Sequence, residues 1–120
     1  MIRVAVVGAS DRPGRYSLRA LKLLLEAGFA PVPVSRSGKD MLGLKGYASL
    51  AAIPDPIDTV TVYLSTEKQA PVIQDILALR PRRVIFNPGA ENPEATALLA
   101  RAGVTVVEAC TLVLLTTGQF

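Results

Sequence analysis

Two serines and two arginines lie in the glycine-led loop that follows the first apolar run of the chain. The loop reads Gly8-Ala-Ser-Asp-Arg-Pro-Gly-Arg-Tyr-Ser17 and leads directly into a helical pattern. Such a loop directs free backbone N–H groups and the positive end of the helix dipole at an anion. Added hydroxyl donors and charges favour a pyrophosphate ligand, with these candidate residues: Gly8, Ala9, Ser10, Arg12, Arg15 and Ser17. A structural turn with solvated arginines is the alternative, because Ser10 replaces the second glycine of the dinucleotide fingerprint.

A second basic loop, Ser35-Arg36-Ser37-Gly38-Lys39, follows the next apolar run. An NAD-binding fold normally has Asp or Glu at this place, where the carboxylate binds the ribose hydroxyls. Two cations and two hydroxyls instead favour a phosphorylated ribose, either the 2′-phosphate of NADP or the 3′-phosphate of coenzyme A. A solvated basic loop that binds nothing is the alternative.

Polar residues also follow the third and fourth apolar runs. Tyr63-Leu64-Ser65-Thr66 combines an apolar wall with small hydroxyls, which suit an adenine; capping of the next helix by Ser65 or Thr66 explains the hydroxyls equally well. In Asn87-Pro88-Gly89-Ala-Glu91, the glycine permits close approach to a ligand and the asparagine offers a donor and an acceptor. An ordinary Pro-Gly turn is the alternative for that segment.

Several kinds of chemistry are excluded by composition. The chain has no histidine, which removes phosphohistidine relays, Ser-His-Asp and Cys-His pairs, and the commonest metal ligand. Its single cysteine, Cys110, permits neither an intramolecular disulfide nor a thiolate zinc site, and we expect it to be a small, inert, buried residue. Nucleophilic catalysis is therefore unsupported, and no metal is expected.

The net charge is +3 without any run of five like charges, so no nucleic-acid partner is expected. No stretch of about 18 apolar residues exists to span a membrane, and no signal peptide is evident, so we expect a cytoplasmic protein. The 120 residues suit one domain, residues 1–120. Self-association as a homo-oligomer stays open.

Five short apolar runs alternate with helical patterns and must position these loops. The runs are rich in β-branched residues, as strands covered on both faces are, and span Arg3 to Val7, Ala30 to Ser35, Asp58 to Leu64, Arg83 to Phe86 and Val104 to Val107. The alternation predicts an α/β fold with a doubly wound, five-stranded parallel sheet, Rossmann-like. Right-handed crossovers would bring the four loops to the carboxyl edge of that sheet.

Local signals refine this arrangement. Two prolines in the second strand indicate a place near the sheet edge. Asn92 and Pro93 predict the start of the helix that Gly103 ends, and the segment from Arg36 to Pro56 has no clear period.

Taken together, the motifs resemble the stand-alone CoA-binding domain proteins, which are similar to the amino-terminal domain of the succinyl-CoA synthetase α subunit. The resemblance runs from Ile2 to about Thr111. It is carried by Val6-Val-Gly-Ala-Ser10 with Ser17, by Pro33-Val-Ser35, by Gly46-Tyr-Ala-Ser-Leu50 and by Asn87-Pro-Gly-Ala-Glu-Asn92.

The resemblance implies roles for the loops. Gly8, Ser10 and the helix start near Ser17 would hold the CoA phosphates, and Ser35 and Lys39 would lie by the ribose and its phosphate. Arg36 joins them on grounds of charge. The adenine would be flanked by Tyr63, Leu64 and Ser65, and the pantetheine arm by Asn87, Pro88 and Gly89. Glu108-Ala-Cys110 stands where the synthetase has Pro-Asn-Cys-Pro, and the missing prolines leave the role of that loop open.

Three functions remain at this point. The first is non-catalytic binding of coenzyme A or an acyl-CoA as a small-molecule ligand, because the chain lacks the histidine that carries phosphate in the ligases it resembles. The second is an NADP-dependent redox protein that uses the same crevice. The third is an interaction subunit whose crevice is empty.

Overall fold

The five apolar runs form the strands of one parallel sheet. The strands in this computed structural model, which describes residues 1–120, are β1 (Arg3–Val7), β2 (Ala30–Val34), β3 (Thr59–Val62), β4 (Arg83–Phe86) and β5 (Thr105–Glu108). Their order is β2-β1-β3-β4-β5, and every neighbouring pair is parallel. The predicted doubly wound, five-stranded α/β fold is confirmed, although β3 is shorter than expected and β5 begins one residue later.

Four helices connect or follow the strands. They are α1 (Tyr16–Glu26), α2 (Ala70–Leu79), α3 (Pro93–Arg101) and α4 (Thr111–Thr116), and single 3₁₀ turns occur at Leu50–Ala52 and Thr66–Lys68. None of these helices is long and apolar enough to cross a membrane. The sequence did not predict α4, because six residues are too few to show a helical period.

The alternation of side chains along β1 divides the core into two parts. Val4 and Val6 pack on one face of the sheet in a cluster with Leu21 and Leu24 of α1. Ala5 and Val7 join a larger cluster on the other face, which includes Ile73 and Ile76 of α2 and Leu99 of α3. Both faces of the sheet are therefore covered at β1, which explains why this strand is almost wholly apolar after Arg3.

The proline-containing strand β2 is at the edge of the sheet, as predicted. Its outer side is covered by the irregular segment 36–56, which pairs with it at one point. The N–H of Tyr47 donates to the carbonyl of Pro33, and the N–H of Ser35 donates to the carbonyl of Tyr47. The segment thus shields part of an edge that would otherwise be open to pairing with another chain.

The predicted cap of α2 is wrong. The helix begins at Ala70, and neither Ser65 nor Thr66 caps it; the hydroxyl of Thr66 donates to the carbonyl of Glu91 instead. Gln69 occupies the cap position, and its buried amide donates to the carbonyls of Leu64 and Ala90. By contrast, the predicted start of α3 is confirmed, because Asn92 accepts a hydrogen bond from the N–H of Ala95.

Candidate functional site

Strand order reverses between β1 and β3, so the two neighbouring crossovers leave the sheet on opposite faces. Gly8 ends β1 at this point with φ +83°, and a Cβ atom there would lie 3.0 Å from the carbonyl oxygen of Tyr63. Only glycine combines this left-handed backbone with such close contact. The loop after β1 therefore starts against the end of β3 and opens the crevice typical of such sheets.

A crevice of about 700 Å³ runs along this carboxyl edge, between the loops after β1, β2, β3 and β4. The fold brings together every sequence-predicted residue except Asn87. Lining the crevice are Gly8, Ala9, Ser10, Arg12, Arg15, Ser17, Ser35, Arg36, Lys39, Tyr63, Leu64, Ser65, Pro88 and Gly89. Its volume is in the range of small-molecule and cofactor sites.

Backbone donors are free in this crevice, but not at the glycine itself. The N–H groups of Gly8 and Ala9 donate to the carbonyl of Val34, at 3.0 and 3.1 Å. The position before α1 is occupied by Arg15, whose side chain makes no capping bond. No acceptor in the protein is within hydrogen-bond geometry of the N–H groups of Ser10, Gly14, Tyr16 and Ser17. The free N–H donors thus lie beyond Ala9, in the rest of the loop and the first turn of α1.

Side chains of the same loop add hydroxyl groups and charge. The Ser10 hydroxyl accepts a hydrogen bond from the N–H of Arg12 at 3.1 Å, which leaves its own proton for a ligand. Arg12 and Arg15 are exposed and form no ion pair. Ser17 is only 4% exposed and forms part of the crevice wall.

The loop after β2 faces this group across the crevice. The hydroxyls of Ser35 and Ser37 are 3.3 Å apart, and Arg36 is exposed without an ion pair. Lys39 is paired: its Nζ lies 3.0 Å from Oδ2 of Asp11 in the loop after β1. A hydrogen bond from Lys39 lowers the pKa of Asp11. Four cations and one carboxylate therefore line the crevice, so its charge favours an anionic ligand.

A smaller recess of about 270 Å³ adjoins the crevice on the α2 face of the sheet. It shares Gly8, Ser35, Arg36 and Leu64 with the crevice. Its further apolar wall comes from Val34, Leu50, Pro71 and Val72, and Lys68 and Asp75 also line it. A charged groove and an apolar recess thus lie side by side at the loop after β2.

Asn87 was predicted to line the crevice, and the structure places it elsewhere. It is 2% exposed, and its side chain is engaged by three neighbours. The amide nitrogen donates to the hydroxyl of Thr61 at 2.6 Å and to the carbonyl of Val62 at 2.9 Å, while the amide oxygen accepts from the N–H of Thr111 at 2.9 Å. Asn87 therefore joins β3, β4 and the start of α4, and its burial keeps it out of the crevice.

Tyr63 lines the crevice, but its hydroxyl is buried and without a hydrogen-bond partner. Burial raises the pKa of Tyr63 to about 12, while the neighbouring hydroxyls of Thr111 and Thr61 act in the opposite direction. The phenol thus stays neutral at physiological pH.

Cys110 is half-buried just before α4 and unpaired, rather than buried as expected. It does not line the crevice. No three His, Cys, Asp or Glu residues are grouped so that they could hold a metal ion.

Six further residues line the crevice without having been predicted: Asp11, Gly14, Tyr16, Ser37, Met41 and Ala90. Four of them lie within the two basic loops, and extending the prediction to the whole of each loop would have included them. Met41 gives no such signal, because it belongs to the irregular segment and reaches the crevice only through the fold.

Residues 3–116 match the family model of the CoA binding domain. The chain belongs to the CoA binding domain family. This membership supports coenzyme A as the ligand class, and it covers all four loops that line the crevice.

Two similar proteins match this domain over most of its length. An uncharacterized protein of Bacillus subtilis (strain 168), YneT, is 36% identical over 105 residues, which are 88% of this chain and 78% of that protein. A crystal structure of an uncharacterized protein is 37% identical, with a TM-score of 0.92 over 100% of this chain and 98% of that one.

A larger enzyme contains the same fold. The dinucleotide-forming acetyl-coenzyme A synthetase 1 of Ca. Korarchaeum cryptofilum has a TM-score of 0.78 and 22% identity to this CoA binding domain. The match covers 89% of this chain but only 26% of the synthetase. At this identity the likeness concerns the fold alone.

Proposed function

We propose that this CoA binding domain holds coenzyme A or an acyl-CoA in the crevice without catalysing a reaction on it. The observation that carries the proposal is the pairing of a cationic groove, rich in unused backbone donors, with an adjoining apolar recess. Coenzyme A has the same division, because an anionic diphosphate and ribose phosphate lie next to an uncharged adenine. Family membership supports the choice of ligand.

The diphosphate is assigned to the loop after β1 and the first turn of α1. The free N–H groups of Ser10, Gly14 and Ser17 belong to residues that line the crevice there, at the positive end of the helix dipole. Arg12 and Arg15 are available because neither forms an ion pair. Charge-assisted hydrogen bonds of this kind are about twice as strong as neutral ones.

The ribose and its 3′-phosphate are assigned to the loop after β2. Ser35 supplies a hydroxyl at the junction of the crevice and the recess, and Arg36 and Lys39 supply charge. No carboxylate of that loop lines the crevice, and the one acid beside Lys39 is Asp11 of the loop after β1. NADP carries the same kind of group and is the second ligand to test.

The adenine fits the apolar recess, with Leu64 and Val72 among its walls. Leu64 keeps the role that the resemblance implies for it, whereas Tyr63 lines only the larger crevice. The pantetheine arm is assigned to Pro88 and Gly89, which are exposed along the crevice. Asn87 then supports this wall from inside the protein and does not touch the ligand.

The absence of catalysis is inferred from the groups at the crevice. Its lining holds neither histidine nor cysteine, and its one carboxylate is exposed and paired with Lys39. Tyr63 has a raised pKa and a buried hydroxyl, so it is poorly suited to proton transfer.

Calorimetric titration with CoA, dephospho-CoA, NADPH and NADH tests this proposal. We expect CoA to bind most tightly and dephospho-CoA more weakly, because the loop after β2 then loses its phosphate. Tighter binding of NADPH than of CoA would overturn the proposal in favour of the redox alternative. If none of the four ligands binds, the result favours the alternative of an interaction subunit with an empty crevice.

A substitution in the loop after β1 tests whether CoA binds in the crevice. Ser10→Trp fills the loop and should abolish CoA binding with little change in melting temperature. Thr105→Trp, at the exposed amino end of β5 on the opposite edge of the sheet, serves as the control and should bind CoA as wild type does. Wild-type affinity of Ser10→Trp would place the ligand elsewhere.

A further inference from the structure

The only ion pair in the crevice joins two loops that are assigned to the ligand. Nζ of Lys39, after β2, lies 3.0 Å from Oδ2 of Asp11, after β1. The lysine side chain is 53% exposed and the aspartate side chain 46% exposed. Both groups remain in contact with water, so the pair can open at small cost.

The ion pair joins the one carboxylate of the crevice to a cation that is assigned to the ligand. Asp11 is the single carboxylate of the crevice, and Arg12, Arg15 and Arg36 remain without an ion pair. Lys39 is also one of the two cations assigned to the ribose phosphate. A carboxylate oxygen on an ammonium group makes the same type of charge-assisted bond as a phosphate oxygen does. Asp11 thus occupies one of the three donor positions of Lys39 that a phosphate could use.

We propose that Asp11 is an internal competitor for Lys39, which lowers the affinity for ligands with a phosphorylated ribose and leaves ligands without that phosphate unaffected. The inference rests on the proposed function, because it assumes that the ribose phosphate reaches Lys39. It makes Asp11 a specificity-determining residue, which sets the ratio of the affinities for CoA and dephospho-CoA.

The two ligands differ in what they require of the pair. Dephospho-CoA leaves Lys39 without a new partner, so the bond to Asp11 persists. A ribose phosphate on Lys39 either displaces Asp11 or shares the ammonium group with it, and in both cases the carboxylate lies near a phosphate of the same sign. The Asp11 carboxylate is charged at neutral pH, as aspartate side chains ordinarily are, and the hydrogen bond from Lys39 lowers its pKa further. The competition therefore operates under physiological conditions.

Titration of wild type and Asp11→Asn with CoA and dephospho-CoA measures this effect. We expect Asp11→Asn to bind CoA roughly 2- to 5-fold more tightly, the range for an exposed ion pair, with dephospho-CoA nearly unchanged. The gain should vanish in the Lys39→Gln background, where the cation that pairs with Asp11 is gone. Glu26→Gln, which removes an exposed charge at the far end of α1, is the control and should change neither affinity.

Two results overturn the inference while the proposed function stands. An equal gain for both ligands would mean that Asp11 acts on the diphosphate or on the general potential. Weaker CoA binding by Asp11→Asn, with an unchanged melting temperature, would mean that Asp11 positions Lys39 for the ligand. Failure of the wild-type protein to bind CoA is a separate result, because it appears without any variant and overturns the proposed function as well.

Discussion

The loops after β1 and β4 both follow strands of the same sheet at the same edge, yet their polar groups are used differently. In the loop after β1, Arg12 and Arg15 are exposed without ion pairs, and several N–H groups have no acceptor. In the loop after β4, the buried side chain of Asn87 has a protein partner for each of its polar atoms. Polar residues at a strand end therefore indicate a binding site only where other groups of the protein do not already satisfy their hydrogen bonds and charges.

The side chain of Asn87 in the loop after β4 also has a structural role, which the exposed arginines of the loop after β1 do not have. Asn87 connects β3 with the first turn of α4, and the hydroxyls of Thr61 and Thr111 lie 2.7 Å apart beside it. All three residues are buried. A buried polar network of this kind is costly when one member is removed, because the remaining groups lose their partners.

Asn87→Ala is the strongest test of this difference between the loops after β1 and β4. We expect the free energy of unfolding to fall by about 3 kcal/mol, because Thr61, Val62 and Thr111 lose a buried partner. Urea denaturation measures this loss, and the folded variant should bind CoA with nearly wild-type affinity. Lost CoA affinity with unchanged stability would assign Asn87 to the binding site and contradict the comparison.

Gly8→Ala should destabilise the protein by about 2 kcal/mol and weaken CoA binding as well, since φ is +83° and the new methyl group would press on the backbone of Tyr63. Gly14→Ala is the matched control. Its φ is +86°, but nothing lies within 4 Å of the added Cβ, so only the backbone strain of about 1 kcal/mol is expected. Thermal melting of the two variants separates the effect of the steric contact with Tyr63 from that of the left-handed backbone. Equal losses of stability in the two variants would refute the close approach at Gly8.

Arg15→Gln should act on binding and not on folding. We expect CoA affinity to fall roughly 3- to 10-fold, with an unchanged melting temperature and a weaker dependence of affinity on salt. Arg101→Gln, an exposed arginine at the end of α3 outside the crevice, is the control. An equal effect of the two variants would indicate a general response to net charge rather than a contact in the loop.

The smallest effect is expected from Tyr63→Phe, which removes a buried hydroxyl that has no partner. Stability at pH 7 should stay within about 1 kcal/mol of wild type. Because the pKa of Tyr63 is about 12 in the folded protein and near 10 in the unfolded chain, the wild type should lose stability as the pH rises from 10 to 12. Denaturation curves across this range should show a smaller loss for Tyr63→Phe; identical curves would mean that the phenol is solvated.

Sequence reasoning predicted most of the fold because the relevant signals are local. β1 and β4 have the predicted bounds, the prolines correctly indicated an edge place for β2, and Asn92 caps α3 as expected. The cap of α2 was missed because Gln69 is fixed by the carbonyls of Leu64 and Ala90, which are distant in sequence or outside the usual capping pattern. Propensity does not encode such tertiary partners.

By itself, the sequence determined which loops reach the carboxyl edge and what charge they bring, because alternating strands and helices of one hand leave little choice of topology. The tertiary structure decided how the polar groups of those loops are used. Asn87 and Arg15 are both polar residues of candidate binding loops in the sequence, yet the fold buries the first among three partners and leaves the second exposed. The reason is physical: a hydrogen bond depends on atoms within about 3 Å, and only the folded chain fixes which atoms those are.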